Sequence, residues 1–256
     1  MSARQTAAGN HSSTSEAIER RPVFVTTHWS VVLSARRNDT TRAHDALERL
    51  CRTYWYPLYA FVRRQGKSKE DAEDLTQEFF ARLLQKDYLQ AVSREKGRFR
   101  TFLLVALKRF LANDWDRSRA QKRGGGRRPL SLDTDLAEKR YRIEPADTLT
   151  ADRIYERRWA LTLIETAMAD VRAEYLAAGK PDEFERLKSF LTADRNAIPY
   201  AELAASLGQN EGALRVAVHR LRKRFRERFR GEIAHTVASP EDIEAEVRHL
   251  MNALAA

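Results

Sequence analysis

Five carboxylates, Glu70, Asp71, Glu73, Asp74 and Glu78, fall within nine consecutive positions of a 256-residue chain whose formal net charge is +10. At about 100° of helix per residue, Asp71, Asp74 and Glu78 lie within about 60° of one another. Three oxygen-bearing side chains on one stripe can remain a solvated acidic face, help to hold a divalent cation, or dock a basic protein surface. The cation site is the poorest fit, because three carboxylates along one helix do not surround an ion and no second acidic or histidine cluster accompanies them. No metal, cofactor or catalytic residue is expected.

Cationic groups suited to a polyanion gather in two blocks. From Ala91 to Leu130 twelve Lys and Arg residues stand against three acids, and from Glu211 to Gly231 eight stand against two. Two separated blocks imply two footprints on a nucleic acid. Phe99, Phe102 and Trp115 lie in the first block and could stack on bases, although aromatics at these spacings more often fill a core.

The second block contains the most specific stretch of the chain, YAELAASLGQNEGALRVAVHRLR from Tyr200 to Arg222. A helix bearing Leu203, Ala204 and Leu207 runs into Gly208, and Asn210 can cap a second helix whose apolar face is Leu214, Val218, Leu221, Phe225 and Phe229. A small residue early and a glycine at the turn let two helices cross closely, as in a helix-turn-helix. Arg215, Val216, His219, Arg220 and Lys223 fall on the opposite side. The early members are placed for base edges in a major groove and the later cations for phosphates.

Helical patterning positions all of these groups. Thr27 can cap a short helix, HWSVVLSARR; a longer one begins near Thr41, and Pro57 should kink or interrupt it before LYAFVRR. Gly66 ends that element, and Ser68 with Asp71 starts the acidic helix as a capping box. RFRTFLLVALKRFLANDWDRSR reads as a buried central helix, GGGRRPLS as a break, and DRIYERRWALTLIETAMADVRAEYLAAGK as the first helix of a second set. The class is therefore all-α, with two small helical domains joined by a flexible linker and the second containing the helix-turn-helix. The expected boundaries are a disordered leader over 1–25, a first domain over 26–120, a linker over 121–150, the second domain over 151–231 and an acidic extension over 232–256. Cys51 has no partner cysteine and sits among apolar residues, so it is read as core filler in a reducing, cytoplasmic protein with no signal peptide and no membrane span.

LCRTYWYPLYAFVRRQGKSKEDAEDLTQEFFARLL, followed by KGRFRTFLLVALKRFLANDWDRSRAQKR, resembles the promoter-melting domain of bacterial RNA polymerase sigma factors of the extracytoplasmic-function (ECF) group. In that family a helix with the pattern found here at Asp71, Ala72, Glu73, Asp74, Leu75, Gln77, Glu78 and Phe80 docks on core polymerase. Tyr200 to Arg222 is similar to the family's reader of the upstream promoter element, through Ala204, Leu207, Gly208, Glu211, Gly212, His219, Arg220 and Arg222. The pattern is broken at Phe102, where Trp is common, and at Gln209, where the turn is usually apolar.

The resemblance implies a sigma factor, not an enzyme, that binds core RNA polymerase, recognises promoter DNA and directs transcription initiation. It assigns polymerase docking to Asp71, Asp74, Gln77 and Glu78, and upstream-element reading to Arg215, Val216, His219, Arg220 and Lys223. Downstream-element binding and melting fall to Lys96, Arg98, Arg100, Thr101, Asn113, Arg117 and Arg119. The protein would be a monomer when free, with an anti-sigma or other regulatory protein as a further candidate partner. The acidic extension resembles that of a sub-branch of the family, and could pack as an ordinary helix or cover a basic face. The rival reading is a stand-alone helix-turn-helix regulator whose first domain dimerises or senses a ligand, which would bind a palindrome as a dimer.

Overall fold

Apolar spacing around Tyr54 builds the first long element, α1, which in the computed structural model runs Thr41–Arg64 without a break, Pro57 included. The expected interruption at Pro57 does not occur. Tyr54 and Tyr56 before the proline and Leu58, Tyr59, Ala60, Phe61 and Val62 after it are all buried. Packing on both sides thus outweighs the roughly 3 kcal/mol that a mid-helix proline costs. The structure describes residues 41–83, 97–118, 134–142, 149–192, 199–208 and 210–255; the helix expected after Thr27 lies outside them.

Gly66, at φ +84°, turns the chain out of α1. Helix α2, Lys69–Leu83, then starts at Ser68, whose Oγ accepts a hydrogen bond from the Asp71 N–H at 3.0 Å. Helix α3, Phe99–Ser118, buries Phe99, Leu103, Ala106, Leu107 and Phe110 but turns Thr101, Val105, Lys108 and Arg109 to solvent. It is one-sided, and the central place expected for it belongs to α5.

Within the segment expected as a linker, Thr134–Arg142 forms a short helix, α4. It is held by one buried carboxylate: Glu138 accepts from Tyr59 Oη at 2.7 Å and from Arg63 Nη2 at 2.9 Å. Helix α5, Ala151–Ala177, is capped by Thr150, which accepts from the Arg153 N–H at 3.3 Å. It packs on α1 and on three later helices. Trp159 lies at its heart, wholly buried and stacked on Tyr54 with ring centroids 4.2 Å apart.

Helix α6, Pro181–Leu187, and a 3₁₀ turn, Lys188–Leu191, lead to α7, Tyr200–Leu207, and α8, Glu211–Thr236. A second 3₁₀ turn, Pro240–Asp242, precedes α9, Ile243–Ala255. The expected boundary at residue 231 falls inside α8, which continues because Ile233 and Thr236 are buried against the core.

The described chain is all-α, with two buried clusters. The larger joins α1, α2, α3, α4, the first half of α5, the end of α8 and α9. The smaller gathers Val171, Phe184, Leu187, Ala204, Leu214, Val218 and Leu221. Helix α5 runs through both, so the two surfaces described next share one rigid axis. Cys51 is core filler as expected, and burial, with the nearby Glu48 charge, pushes its thiol well above the ordinary range. No described helix is long and apolar enough to cross a membrane.

Candidate nucleic-acid interface

On α2 the inner face is Ala72, Thr76, Phe79, Phe80 and Leu83, all buried. Thr76 is accommodated there because its hydroxyl donates to the Ala72 carbonyl at 2.7 Å. Of the docking pattern, Leu75 is half-buried and Phe80 is buried. Asp71, Asp74 and Glu78 are exposed on the far side. Gln77 is half-buried and donates to Glu73 at 3.2 Å, while Glu78 pairs with Arg82 one turn on. The stripe is an open anionic surface backed by a rigid aromatic layer. Among the described residues no three His, Cys, Asp or Glu side chains form a group that could hold a metal ion.

Helix α8 is set by its turn. Gly208 adopts φ +60°, where its N–H closes α7 onto the Ala204 and Ala205 carbonyls. A side chain there would be strained by the left-handed backbone. Asn210 then caps α8 with hydrogen bonds from the Gly212 and Ala213 N–H groups. Leu214, Val218 and Leu221 are buried against α5 and α6, and Phe225 is half-buried. Arg215, Val216, His219, Arg220 and Lys223 therefore all face solvent together.

Arg215 is held ready rather than free. Its guanidinium lies 4.4 Å from the centroid of the Tyr200 ring on α7 and bonds Glu211 at 2.6 and 2.8 Å. Arg222, which carries part of the sequence pattern, turns the other way and donates twice to the Phe190 carbonyl, at 2.9 and 2.7 Å. That residue fastens α8 to the 3₁₀ turn.

The third set is divided. Lys96 and Arg119 lie outside the described residues, and Arg117 falls in the last turn of α3. Thr101 and Asn113 are exposed but about 18 Å apart along the helix axis, at 1.5 Å per residue. Arg98 and Arg100 converge on one carboxylate, that of Glu246 in α9. Arg98 Nε lies 2.8 Å from it and Arg100 Nε 2.6 Å, with Arg100 Nη1 also 3.2 Å from Glu156. Tyr155 donates its hydroxyl to the Arg100 carbonyl at 2.8 Å, fixing the backbone beneath. Phe99 is wholly buried against Tyr54, Phe102 and Trp159, so it is core.

Sequence reasoning did not find Glu246. A signal was present: Ile243, Val247, Leu250 and Leu254 form an apolar stripe, and Glu246 lies on it rather than opposite. A carboxylate on a buried face demands a cation.

Residues 50–121 match the family model Sigma-70 region 2. The matched span takes in α1 from Leu50, α2 and α3, hence the acidic stripe and the Arg98–Arg100 pair. No curated protein and no solved structure gives a significant match to the chain.

Proposed function

We propose that the protein is a sigma factor of the ECF group, which binds core RNA polymerase, recognises promoter DNA and directs initiation. One observation carries this. The segment that matches Sigma-70 region 2 presents Asp71, Asp74 and Glu78 as an exposed stripe, with the buried face of the same helix turned to the core. A basic protein that keeps one exposed anionic stripe, with only Glu78 paired among the described residues, to Arg82 of the same helix, has a surface suited to a basic protein partner and repelled by DNA.

The division of labour follows from the chemistry of each surface. Polymerase is held by Asp71, Asp74, Gln77 and Glu78. The start of α8 enters the major groove of an upstream promoter element, where Arg215 exchanges Glu211 for base edges, Val216 and His219 meet the groove floor, and Arg220 and Lys223 meet phosphates. Separated downstream DNA needs cations along its backbone and a place for an unstacked base; Arg98 and Arg100 at the start of α3 supply the cations, and Thr101 beside them adds a neutral hydroxyl. No covalent step is assigned to the protein.

Run-off transcription tests the proposal. Bacterial core polymerase purified free of sigma factors is mixed with the full chain and sheared genomic DNA, and transcripts are mapped. Discrete start sites sharing two upstream elements are expected. Absence of both core binding and promoter-directed transcripts would refute it, and binding of a palindrome by a dimer without polymerase would favour a stand-alone regulator.

A further inference from the structure

Of the three surfaces, the docking stripe and the reading face of α8 are open, whereas at the third Arg100 is buried and Arg98 half-buried. Arg100 is 5% exposed, and the side chain that covers it is an acid of the chain itself: Glu246, at 0% exposure, in the last helix. Its Oε1 accepts from Arg100 Nε and its Oε2 lies 2.8 Å from Arg98 Nε, so one carboxylate meets both guanidiniums. Beside it, His249 Nε2 of α9 lies 3.2 Å from the Glu156 carboxylate that also meets Arg100.

We propose that α9 is a displaceable cover whose Glu246 carboxylate stands where phosphate oxygens of the separated promoter strand bind, so that in the free protein Arg100 is closed off and the half-buried Arg98 is tied to the same carboxylate, and both are released when α9 leaves. This rests on the sigma-factor reading for the identity of the strand. The geometry of the pairing rests on nothing beyond the structure.

Two features make the contact a switch rather than a strut. First, a buried carboxylate paired with guanidiniums gives back in Coulomb attraction roughly what it costs in lost hydration, so exchanging it for another oxyanion is close to balanced. Second, the frame beneath does not depend on α9. Tyr155 holds the Arg100 carbonyl and Glu156 holds its Nη1, both from α5. Removing α9 would leave the arginines positioned and exposed, with Arg98 the freer of the two. What keeps the cover on is the apolar stripe of α9, centred on the wholly buried Leu250, which packs against α5 and α8.

The test uses the full chain, Glu246→Gln, Glu246→Gln with Arg98→Ala, and a chain ending at Val237. Binding of a fluorescein-labelled single-stranded oligonucleotide of about 20 random nucleotides is followed by anisotropy at physiological salt. Because a closed state lowers apparent affinity by the fraction that is open, Glu246→Gln and the shortened chain should bind about tenfold tighter or more. Adding Arg98→Ala should remove most of that gain. Unchanged affinity in Glu246→Gln, with helix content intact, overturns the cover. Should the shortened chain fail to fold, hydrogen exchange in the wild-type chain decides: α9 amides must exchange faster when the oligonucleotide saturates the protein, and equal exchange overturns the proposal. Core-polymerase affinity is measured on the same proteins. Core binding without any oligonucleotide gain sinks the cover alone; no core binding in any of them sinks the sigma-factor reading and leaves the cover to be judged on the oligonucleotide.

Discussion

Reversing the docking stripe, Asp74→Lys with Glu78→Lys in the full chain, separates stability from binding because both side chains project away from the core. Asp74 is exposed, and in mid-helix lysine is the better helix former by a few tenths of a kcal/mol. Glu78 loses an exposed i,i+4 pair with Arg82, worth about 0.3–0.5 kcal/mol, and gains a like-charge neighbour of similar cost. The net change in folding stability is therefore within about 1 kcal/mol. Binding should respond on another scale, since two attractive charges become two repulsive ones against a basic surface. A loss of about 3 kcal/mol or more is expected, which is over 100-fold in affinity. Thermal unfolding by circular dichroism and core-polymerase binding by interferometry read the two quantities on one preparation. A chain that melts normally yet keeps wild-type polymerase affinity would refute docking through this face; a chain that loses helix content would refute the claim that the stripe is free of structural duty.

Two further outcomes follow from the other surfaces. Arg220→Ala and Lys223→Ala should each weaken duplex binding about equally across sequences and reduce the slope of log affinity against log salt by about 0.9, whereas Arg215→Ala should also relax sequence preference. At Glu138, burial alone would raise the carboxyl, but hydrogen bonds from Arg63 and Tyr59 and the Arg63 charge hold it below the usual range; its stabilisation is full above the ordinary Glu value of about 4.3 and is lost as pH falls through the lowered folded value. The protection factors of the α4 amides, each referred to the intrinsic exchange rate at its pH, should accordingly fall on acidification, and at neutral pH in Glu138→Ala; protection of α4 that is independent of both would refute the assignment.

Sequence periodicity exposed most of the elements, because helices here carry one apolar face each and their caps are ordinary. Ser68, Asn210 and Gly208 do what their types promise, and the reading face of α8 could be drawn from 100° steps alone. What was not legible depends on long-range packing. Nothing local says that Tyr54 meets Trp159 across more than a hundred residues, or that a proline in α1 will be overruled by burial on either side of it. Glu138 sits in a segment that reads as linker, since a nine-residue helix is marginal alone and exists because Tyr59 and Arg63 wait for its carboxylate. In the acidic tail the apolar stripe of α9 marks Glu246 as a carboxylate on a packed face, but only the fold shows that its partners are Arg98 and Arg100.

The shared helix α5 changes how the two nucleic-acid surfaces must be handled. Its first half carries Trp159, Tyr155 and Glu156 into the cluster beneath Arg98 and Arg100, and its second half carries Val171 into the core of the α7–α8 pair. Cutting the chain near residue 150 to isolate the reader would strip Tyr54 and Phe99 from Trp159 and leave a large aromatic face in water, at a cost on the scale of removing a buried Trp, about 3–5 kcal/mol. A failed fragment would then report on this seam and not on α8. The same continuity gives the cover on Arg98 and Arg100 a physical route to the rest of the molecule. Helix α9 leans on α5 and on the end of α8, so any partner that shifts α8 along α5 also alters the seat of Leu250 and, through it, the grip of Glu246. On the proposed reading, engagement of the α8 face and release of Arg98 and Arg100 would in that way be tied to one packed element.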